Sequence, residues 1–147
     1  MNYIENYQSQ LKSQISPSEV DKIIGDLVIL NSGVVILDVR DRWRMGLGVN
    51  GGIIGSYRWD EYRDYKQSIN PAAGGKVDLT LTGSLSEGLA LRRQGKQFQV
   101  FSTDSKYEKL GKKYGFEQFG LTDEQQFEFF NQLYGFAVET ILSKIWQ

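Results

Sequence analysis

A glycine-rich segment limits most strongly what this chain can fold into. Residues 46–55 hold five glycines in ten positions. Glycine loses more backbone freedom on folding than any other residue, so neither a helix nor a long strand is expected to run through this segment. Asn50-Gly51 within it is a tight-turn signal. The segment therefore predicts a loop, and regular elements are expected on either side of it.

Helix signals precede the glycines. Ser16 is suited to an N-cap, Pro17 to the first helical position, and Glu19 lies three residues after the cap. Residues 31–33, Asn-Ser-Gly, predict the end of this helix. One apolar face recurs at helical spacing and comprises Val20, Ile23, Ile24, Leu27 and Val28.

Residues 34–45 are ambiguous between strand and helix. The first half has strand propensity. Val35, Val39 and Trp43 are helix-spaced, and Asp38 with Arg42 forms an i,i+4 pair, so the pattern favours a helix ending at Gly46. Residues 1–15 have weaker helical spacing and predict an arm or a short helix.

After the loop, the sequence predicts a short helix near residues 57–66 and then an antiparallel pair of strands. Residues 93–96 form the expected hairpin loop. Thr82-Gly83 predicts a turn that sets the strand register, since glycine supplies a positive φ and threonine can bond locally. The strand faces are predicted to hold Leu85, Leu89 and Leu91 on one strand and Phe98, Val100 and Ser102 on the other.

Two further helices are predicted towards the C-terminus. Residues 106–114 form the first, with Thr103 or Asp104 as cap and Gly115 as the stop, and Thr122 opens the second with a capping box. The chain as a whole, 1–147, is predicted to be a single α+β domain. The apolar face predicted for the last helix comprises Phe127, Phe130, Tyr134, Val138, Ile141, Leu142 and Ile145.

The composition excludes several function classes. The 147 residues include no His and no Cys, which removes Ser-His and Cys-His nucleophiles, Cys/His zinc sites and disulfides. A net charge of −1 is not that of a general nucleic-acid or anionic-membrane binder. No catalytic residue, cofactor site or metal site is expected. The N-terminus lacks the pattern of a secretory signal, and no apolar run approaches the ~20 residues of a membrane span.

Two motifs suggest chemistry but lack the expected context. Gly46 to Gly51 matches the G-x-G-x-x-G dinucleotide pattern, yet a charged, helix-like segment precedes it where a strand is required. Several carboxylates suggest a divalent-metal cluster, but arginines interleave with them, which is typical of an ion-paired surface. These carboxylates are Asp38, Asp41, Asp60, Glu61, Asp64 and Asp78.

Charge is unevenly distributed in the C-terminal half. Residues 92–113 hold seven basic and two acidic residues, a net +5, and residues 117–147 have a net −4. A basic stretch followed by an acidic one suits a head-to-tail oligomer. Two alternatives stay open: the basic stretch could instead face DNA in a pore, or the charges are an ordinary scatter over the surface. The basic residues predicted at an interface are Arg92, Arg93, Lys96, Lys112 and Lys113.

Aromatic residues are concentrated in the last helix. Phe129 and Phe136 are seven residues apart and lie off the main apolar face, which predicts that they dock another subunit. Trp146, close to the end of the sequence, is assigned to the same predicted interface.

The order of features between residues 46 and 121 resembles small structural proteins of tailed bacteriophages, namely the tail-completion or virion-morphogenesis group of neck proteins, especially those of Bacteroidetes-type phages. About half of the chain carries the resemblance. The matching phrases are Gly48–Tyr57 with Lys66, Leu81-Thr82-Gly83-Ser84-Leu85, Phe98–Thr103, Tyr107, Tyr114-Gly115 and Phe119–Glu124.

The resemblance implies a non-enzymatic, ring-forming virion subunit that joins head or connector to tail. Its implied partners are further copies of itself and portal, connector or tail-tube proteins, with non-specific contact to DNA in a pore as an option and no membrane partner. The implied location is the virion, after assembly in the bacterial cytoplasm. Two alternatives stay open: a small cytosolic enzyme that uses carboxylates or the glycine loop, and a monomeric interaction module of a mobile element.

Overall fold

The computed structural model describes residues 15–80 and 82–146. The predicted N-terminal arm or short helix therefore lies almost entirely outside the described residues. Within them, six α-helices and one two-stranded antiparallel sheet confirm the predicted α+β class. The elements are α1 (Pro17–Leu30), α2 (Ser32–Arg44), α3 (Asp60–Ile69), α4 (Ser84–Glu87), β1 (Leu89–Gln94), β2 (Gln97–Ser102), α5 (Tyr107–Tyr114) and α6 (Asp123–Ile145).

The start of α1 is confirmed, and so is the predicted helix over residues 34–45, except that it ends at Arg44 with Met45 as its C-cap. The Ser16 hydroxyl accepts a hydrogen bond from the Glu19 backbone N–H at 3.2 Å, and Pro17 occupies the first turn. The break between the helices, predicted over residues 31–33, is a single residue long. Helix α1 ends at Leu30, Asn31 caps it, and α2 begins at Ser32. A polar residue at the cap bends the chain between two helices without requiring a loop.

The hairpin is confirmed, but its loop is shorter than predicted. Strand β1 pairs with β2 in a register that places Leu89 opposite Ser102 and Gln94 opposite Gln97. Residues 95 and 96 alone form the turn, so the predicted loop residue Arg93 belongs to the ladder. Gly95 has φ +61°, and this glycine allows the tighter connection.

The segment before the hairpin differs from the prediction. Leu85, predicted to lie on a strand, is buried in the short helix α4. Gly83 has the predicted positive φ of +79° and Thr82 Oγ1 lies 2.8 Å from Ser84 Oγ, but together they begin α4 instead of setting a strand register. Four residues of helix are too short to produce a recognisable periodicity in the sequence.

The core lies between α2, the hairpin and the segment that leads into α6. Trp43 and Val39 of α2 are fully buried, and Phe119 is 1% exposed. The Trp43 and Phe119 rings meet edge to face with centroids 5.2 Å apart. The Trp43 indole N–H and the Arg42 guanidinium both donate to the Gln118 carbonyl, at 2.9 and 2.6 Å. These contacts fix the chain just before the C-terminal helix begins.

The two C-terminal helices start differently from each other. The capping box of α6 is confirmed: Thr122 Oγ1 accepts from the Gln125 N–H at 3.1 Å, and Gln125 Oε1 accepts from the Thr122 N–H at 3.0 Å. Helix α5 begins at Tyr107, and Lys106 occupies its cap position, so the predicted cap at Thr103 or Asp104 is wrong. Asp104 Oδ1 accepts from the Lys106 N–H at 2.8 Å and so orders the preceding turn.

Replacing Thr122 by Ala is expected to lower the free energy of unfolding by about 1 kcal/mol, because one N–H of the first turn of α6 loses its acceptor. Urea unfolding followed by circular dichroism measures the change. Thr122→Ser retains the hydroxyl and should stay close to the parent protein. An equal loss in both variants would contradict the role of the cap.

Helix α6 turns a different side to the core from the one predicted. Phe129 and Leu133 are buried, whereas Phe127 and Tyr134 are 68% and 71% exposed. Phe129 therefore belongs to the core, and its prediction as an interface residue is wrong. The helix carries two apolar sides, and periodicity alone does not reveal which of them meets the rest of the fold.

Candidate functional site

A pocket of about 240 Å³ lies between α3, α4 and α5. We call it the tyrosine pocket, because the half-buried Tyr57, Tyr62 and Tyr114 line it. Buried residues form its inner wall, and the exposed Thr82 and Lys113 lie at its mouth. The remaining lining residues are Val77, Asp78, Leu79, Thr80, Leu85, Lys106 and Leu110.

A buried ion pair supports the inner wall of the tyrosine pocket. Lys66 Nζ lies 2.8 Å from Asp78 Oδ1, and the two side chains are 2% and 1% exposed. Asp78 Oδ2 also accepts from Asn70 Nδ2 at 2.9 Å. Asp78 Oδ1 further accepts from the Thr80 N–H at 3.1 Å and from the Tyr57 hydroxyl at 3.4 Å. A carboxylate with this many donors ties α3 to the segment before α4.

The surroundings of Asp78 keep its carboxylate ionised. Burial acts to raise the pKa of Asp78, but the hydrogen bonds from Asn70, Lys66 and Thr80 outweigh it and lower the pKa below the ordinary value. Burial and the neighbouring Asp78 charge raise the pKa of Tyr57, so its phenol stays protonated and can donate. Burial, followed by the Asp78 charge, raises the pKa of Tyr62 in the same way.

The backbone beside this ion pair is strained. Leu79 has φ +53°, the one positive φ of a non-glycine residue in the described ranges, and its side chain is 7% exposed. The turn at Leu79 lets the Thr80 N–H bond back to the side chain of Asp78. Backbone strain of this kind costs about 1–3 kcal/mol and concentrates at functional sites.

Two lysines give the tyrosine pocket a positive edge. Lys106 Nζ donates to Thr82 Oγ1 at 3.3 Å, and Lys113 Nζ lies 5.0 Å from the centre of the Tyr114 ring. Neither lysine forms an ion pair with a carboxylate of the described residues. The pocket thus combines apolar aromatic walls with two available positive charges.

The hairpin arginines of the predicted interface lie apart from this pocket and pack on their own chain. Both are exposed, with Arg92 stacked on Phe101 at 4.4 Å and hydrogen-bonded to Gln99. Arg93 donates to the Gly95 carbonyl at 2.9 Å and lies so close to Gly25 that a Cβ there would clash with its guanidinium.

The other predicted interface residues are distributed over several surfaces. Lys112 is exposed on α5, while Lys96 lines an apolar groove of about 600 Å³ between the hairpin and the start of α6. Phe129 closes the inner side of that groove. Phe136 and Trp146 are 57% and 70% exposed, as an interface requires. Of the predicted set, the structure brings Thr82 and Lys113 together at the tyrosine pocket and Lys96 and Phe129 together at the groove.

The outward side of α6 is a second candidate site. Residues three, four or seven positions apart share one side of a helix. On this side of α6 lie four exposed members of the predicted apolar face, whereas Val138, Ile141 and Ile145 are half-buried. We call it the outward face of α6. Its exposed members, with exposed fractions, are Phe127 (68%), Phe130 (47%), Tyr134 (71%) and Leu142 (46%).

The glycine segment forms a closed loop, as predicted. Leu47 pairs with Ile53 as an isolated bridge, and the Gly48 N–H donates to the Gly52 carbonyl at 2.6 Å. Helix α2 precedes the loop and α3 begins only at Asp60, so the strand–loop–helix context of a dinucleotide site does not surround it. Across residues 15–80 and 82–146, no three carboxylates converge as a metal site would need.

Sequence reasoning missed the Lys66–Asp78 pair. Asp78 appears in the sequence within a surface carboxylate set, but its immediate neighbours Val77 and Leu79 are both apolar and both buried. The position of this lone carboxylate between two apolar residues was the sequence signal that Asp78 is buried. Its partner is twelve residues away on another element, which no local pattern reveals.

No helix in the described part of the chain has the length and apolar content to cross a membrane. Comparison of the chain with protein-family models, with curated proteins and with solved structures found no match.

Proposed function

We propose that this protein is a non-enzymatic structural component of a tailed-phage virion, a ring-forming neck or tail-completion subunit that joins head or connector to tail. Its partners are further copies of itself and portal, connector or tail-tube proteins. It assembles in the bacterial cytoplasm and resides in the virion. The observation that carries the proposal is the outward face of α6.

The size of this face supports a role in protein–protein association. Helix α6 has 23 residues, a length of about 35 Å. Large aromatic side chains are enriched at protein interfaces, and a contiguous apolar patch on a soluble protein marks an interaction surface. Phe129 and Leu133 already attach the opposite part of the helix to the core. The outward face is therefore available for another chain without unfolding this one.

The charge pattern supports assembly with like copies. The net-basic residues 92–113 span the hairpin and α5, whereas four of the five acidic residues in the net-acidic stretch 117–147 lie on the C-terminal helix. Opposite charges on different elements favour head-to-tail contacts between copies, which close into a ring when the rotation between neighbours closes. The basic side of such a ring would also tolerate DNA passing through it.

Replacing Phe127 and Tyr134 by Glu is expected to abolish self-association, since two charges would be buried at the contact. Light scattering coupled to size-exclusion chromatography measures the mass over a wide concentration range. Gln67→Glu/Ser68→Glu adds the same charge at two exposed positions on α3 and should assemble like the parent.

Mass spectrometry of purified particles tests the location. We expect the protein in complete virions, and tailless heads when its gene is silenced. A protein that stays monomeric at every concentration and is absent from particles would overturn the proposal.

A further inference from the structure

We propose that the tyrosine pocket receives Phe127 from a second copy of this chain, while Lys106 and Lys113 pair with the carboxylates beside that phenylalanine. The inference rests on the proposed function, because it assigns the two surfaces that join neighbouring subunits. It describes a heterologous contact, in which a knob on one copy enters a pocket on the next.

The size and walls of the tyrosine pocket favour a single side chain. Its volume of about 240 Å³ is below the range of about 300–1,000 Å³ typical of small-molecule sites. Tyrosine rings and buried aliphatic residues provide most of its surface, and aromatic rings pair well with an inserted ring at their edges. An aromatic side chain of a partner protein fits this chemistry.

The positive edge selects which aromatic residue enters. Phe127 has Asp123 and Glu124 one turn before it and Glu128 directly after it, so carboxylates flank an exposed ring. Tyr134 has no charged residue within four positions, and the one charged neighbour of Trp146 within that range is basic. Of the exposed aromatic residues in the described ranges, Phe127 alone has three carboxylates and no basic residue within four positions, so charge complementarity with two lysines favours it.

The knob does not fill the pocket of its own copy. Phe127 is 68% exposed and does not line the tyrosine pocket of its own chain. A knob on one copy that enters the pocket of the next makes a heterologous contact, and repeated contacts of this kind propagate head to tail and close into a ring when the rotation between neighbouring copies closes.

Charge reversal tests the contact. We expect the pocket variant Lys106→Glu/Lys113→Glu and the knob variant Glu124→Lys/Glu128→Lys each to weaken self-association about a hundredfold, because like charges then meet at the interface. Mixing the two variants, or combining all four changes in one chain, should restore assembly to near the parent level. Sedimentation velocity measures the association.

The control is Lys22→Glu/Lys109→Glu, which changes the net charge equally at two exposed lysines that do not line the pocket. It should associate within a few-fold of the parent. If the pocket variant fails to fold by circular dichroism, Lys106→Gln/Lys113→Gln removes the charges without reversing them, and we expect about tenfold weaker association.

The outcomes separate this inference from the proposed function. A parent protein that assembles, together with a pocket variant that assembles equally well or a mixture that does not recover, would overturn the knob-and-pocket contact and leave the virion role standing. A parent protein that never assembles would instead contradict the proposed function itself.

Discussion

Replacing Asp78 by Asn is expected to lower the free energy of unfolding by about 3–5 kcal/mol at neutral pH, because it leaves the buried Lys66 ammonium without its counter-charge. The two side chains are 2% and 1% exposed, so water cannot take over the lost contact. Asn has the size of Asp and retains an acceptor for the Thr80 N–H. The loss thus reports the missing charge more than a change in packing.

The effect of Asp78→Asn should depend on pH. The folded pKa of Asp78 is lowered, so the ionised carboxylate stabilises the fold above its unfolded pKa of about 3.9, and that contribution is lost as the pH falls through the folded pKa. The difference in stability between parent and variant should therefore be full at neutral pH and narrow in acid. Urea unfolding at a series of pH values measures it.

Two comparisons identify the buried ammonium as the cause. Lys66→Met in the Asp78→Asn background should recover part of the lost stability, since it removes the unpaired charge. Asp60→Asn breaks the exposed pair with Arg63 and should change stability by less than about 1 kcal/mol. A double variant no more stable than Asp78→Asn would mean that the loss has another origin.

Replacing Trp43 by Ala is expected to cost about 3–5 kcal/mol, because a fully buried indole is removed from the centre of the core. The cavity would adjoin Phe119, which packs edge to face on Trp43. Loss of this contact loosens the segment that leads into α6. Guanidinium unfolding followed by circular dichroism measures the loss.

Trp43→Phe separates the packing from the hydrogen bond. The Gln118 carbonyl still accepts from Arg42 at 2.6 Å when the indole N–H is gone, so no buried acceptor is left unpaired. We expect a loss of about 1–2 kcal/mol. Trp59→Ala, at a position 68% exposed, should change stability by about 0.5 kcal/mol or less. Equal losses at positions 43 and 59 would contradict the core assignment.

Local signals in the sequence predicted most elements correctly. Ser16 with Pro17, the capping box at Thr122, and Gly115 after α5 all act through neighbours within a few residues. The helical spacing of Val35, Val39 and Trp43 likewise predicted α2 correctly, although the first half of this segment has strand propensity. All three residues are buried on the core side of the helix. Such features depend on hydrogen bonds and steric limits that the chain satisfies locally.

Errors arose where two local solutions were equally good. The short helix α4 occupies a stretch predicted as strand, since Leu85 could be buried in either conformation. The larger error concerns which of the two apolar sides of α6 packs against the core. Phe129, predicted at an interface, fills the core, while Phe127, on the predicted main apolar face, is exposed.

The sequence by itself determined the α+β class, the helix boundaries set by caps and glycines, and the absence of His and Cys from any site. Only the tertiary structure decided that α6 turns its richer aromatic face outward, that Lys66 and Asp78 meet in the interior, and that two lysines border the tyrosine pocket. Caps and turns are set by contacts between near neighbours. Burial of a helix side and pairing of distant charges depend on the packing of whole elements, which no local pattern encodes.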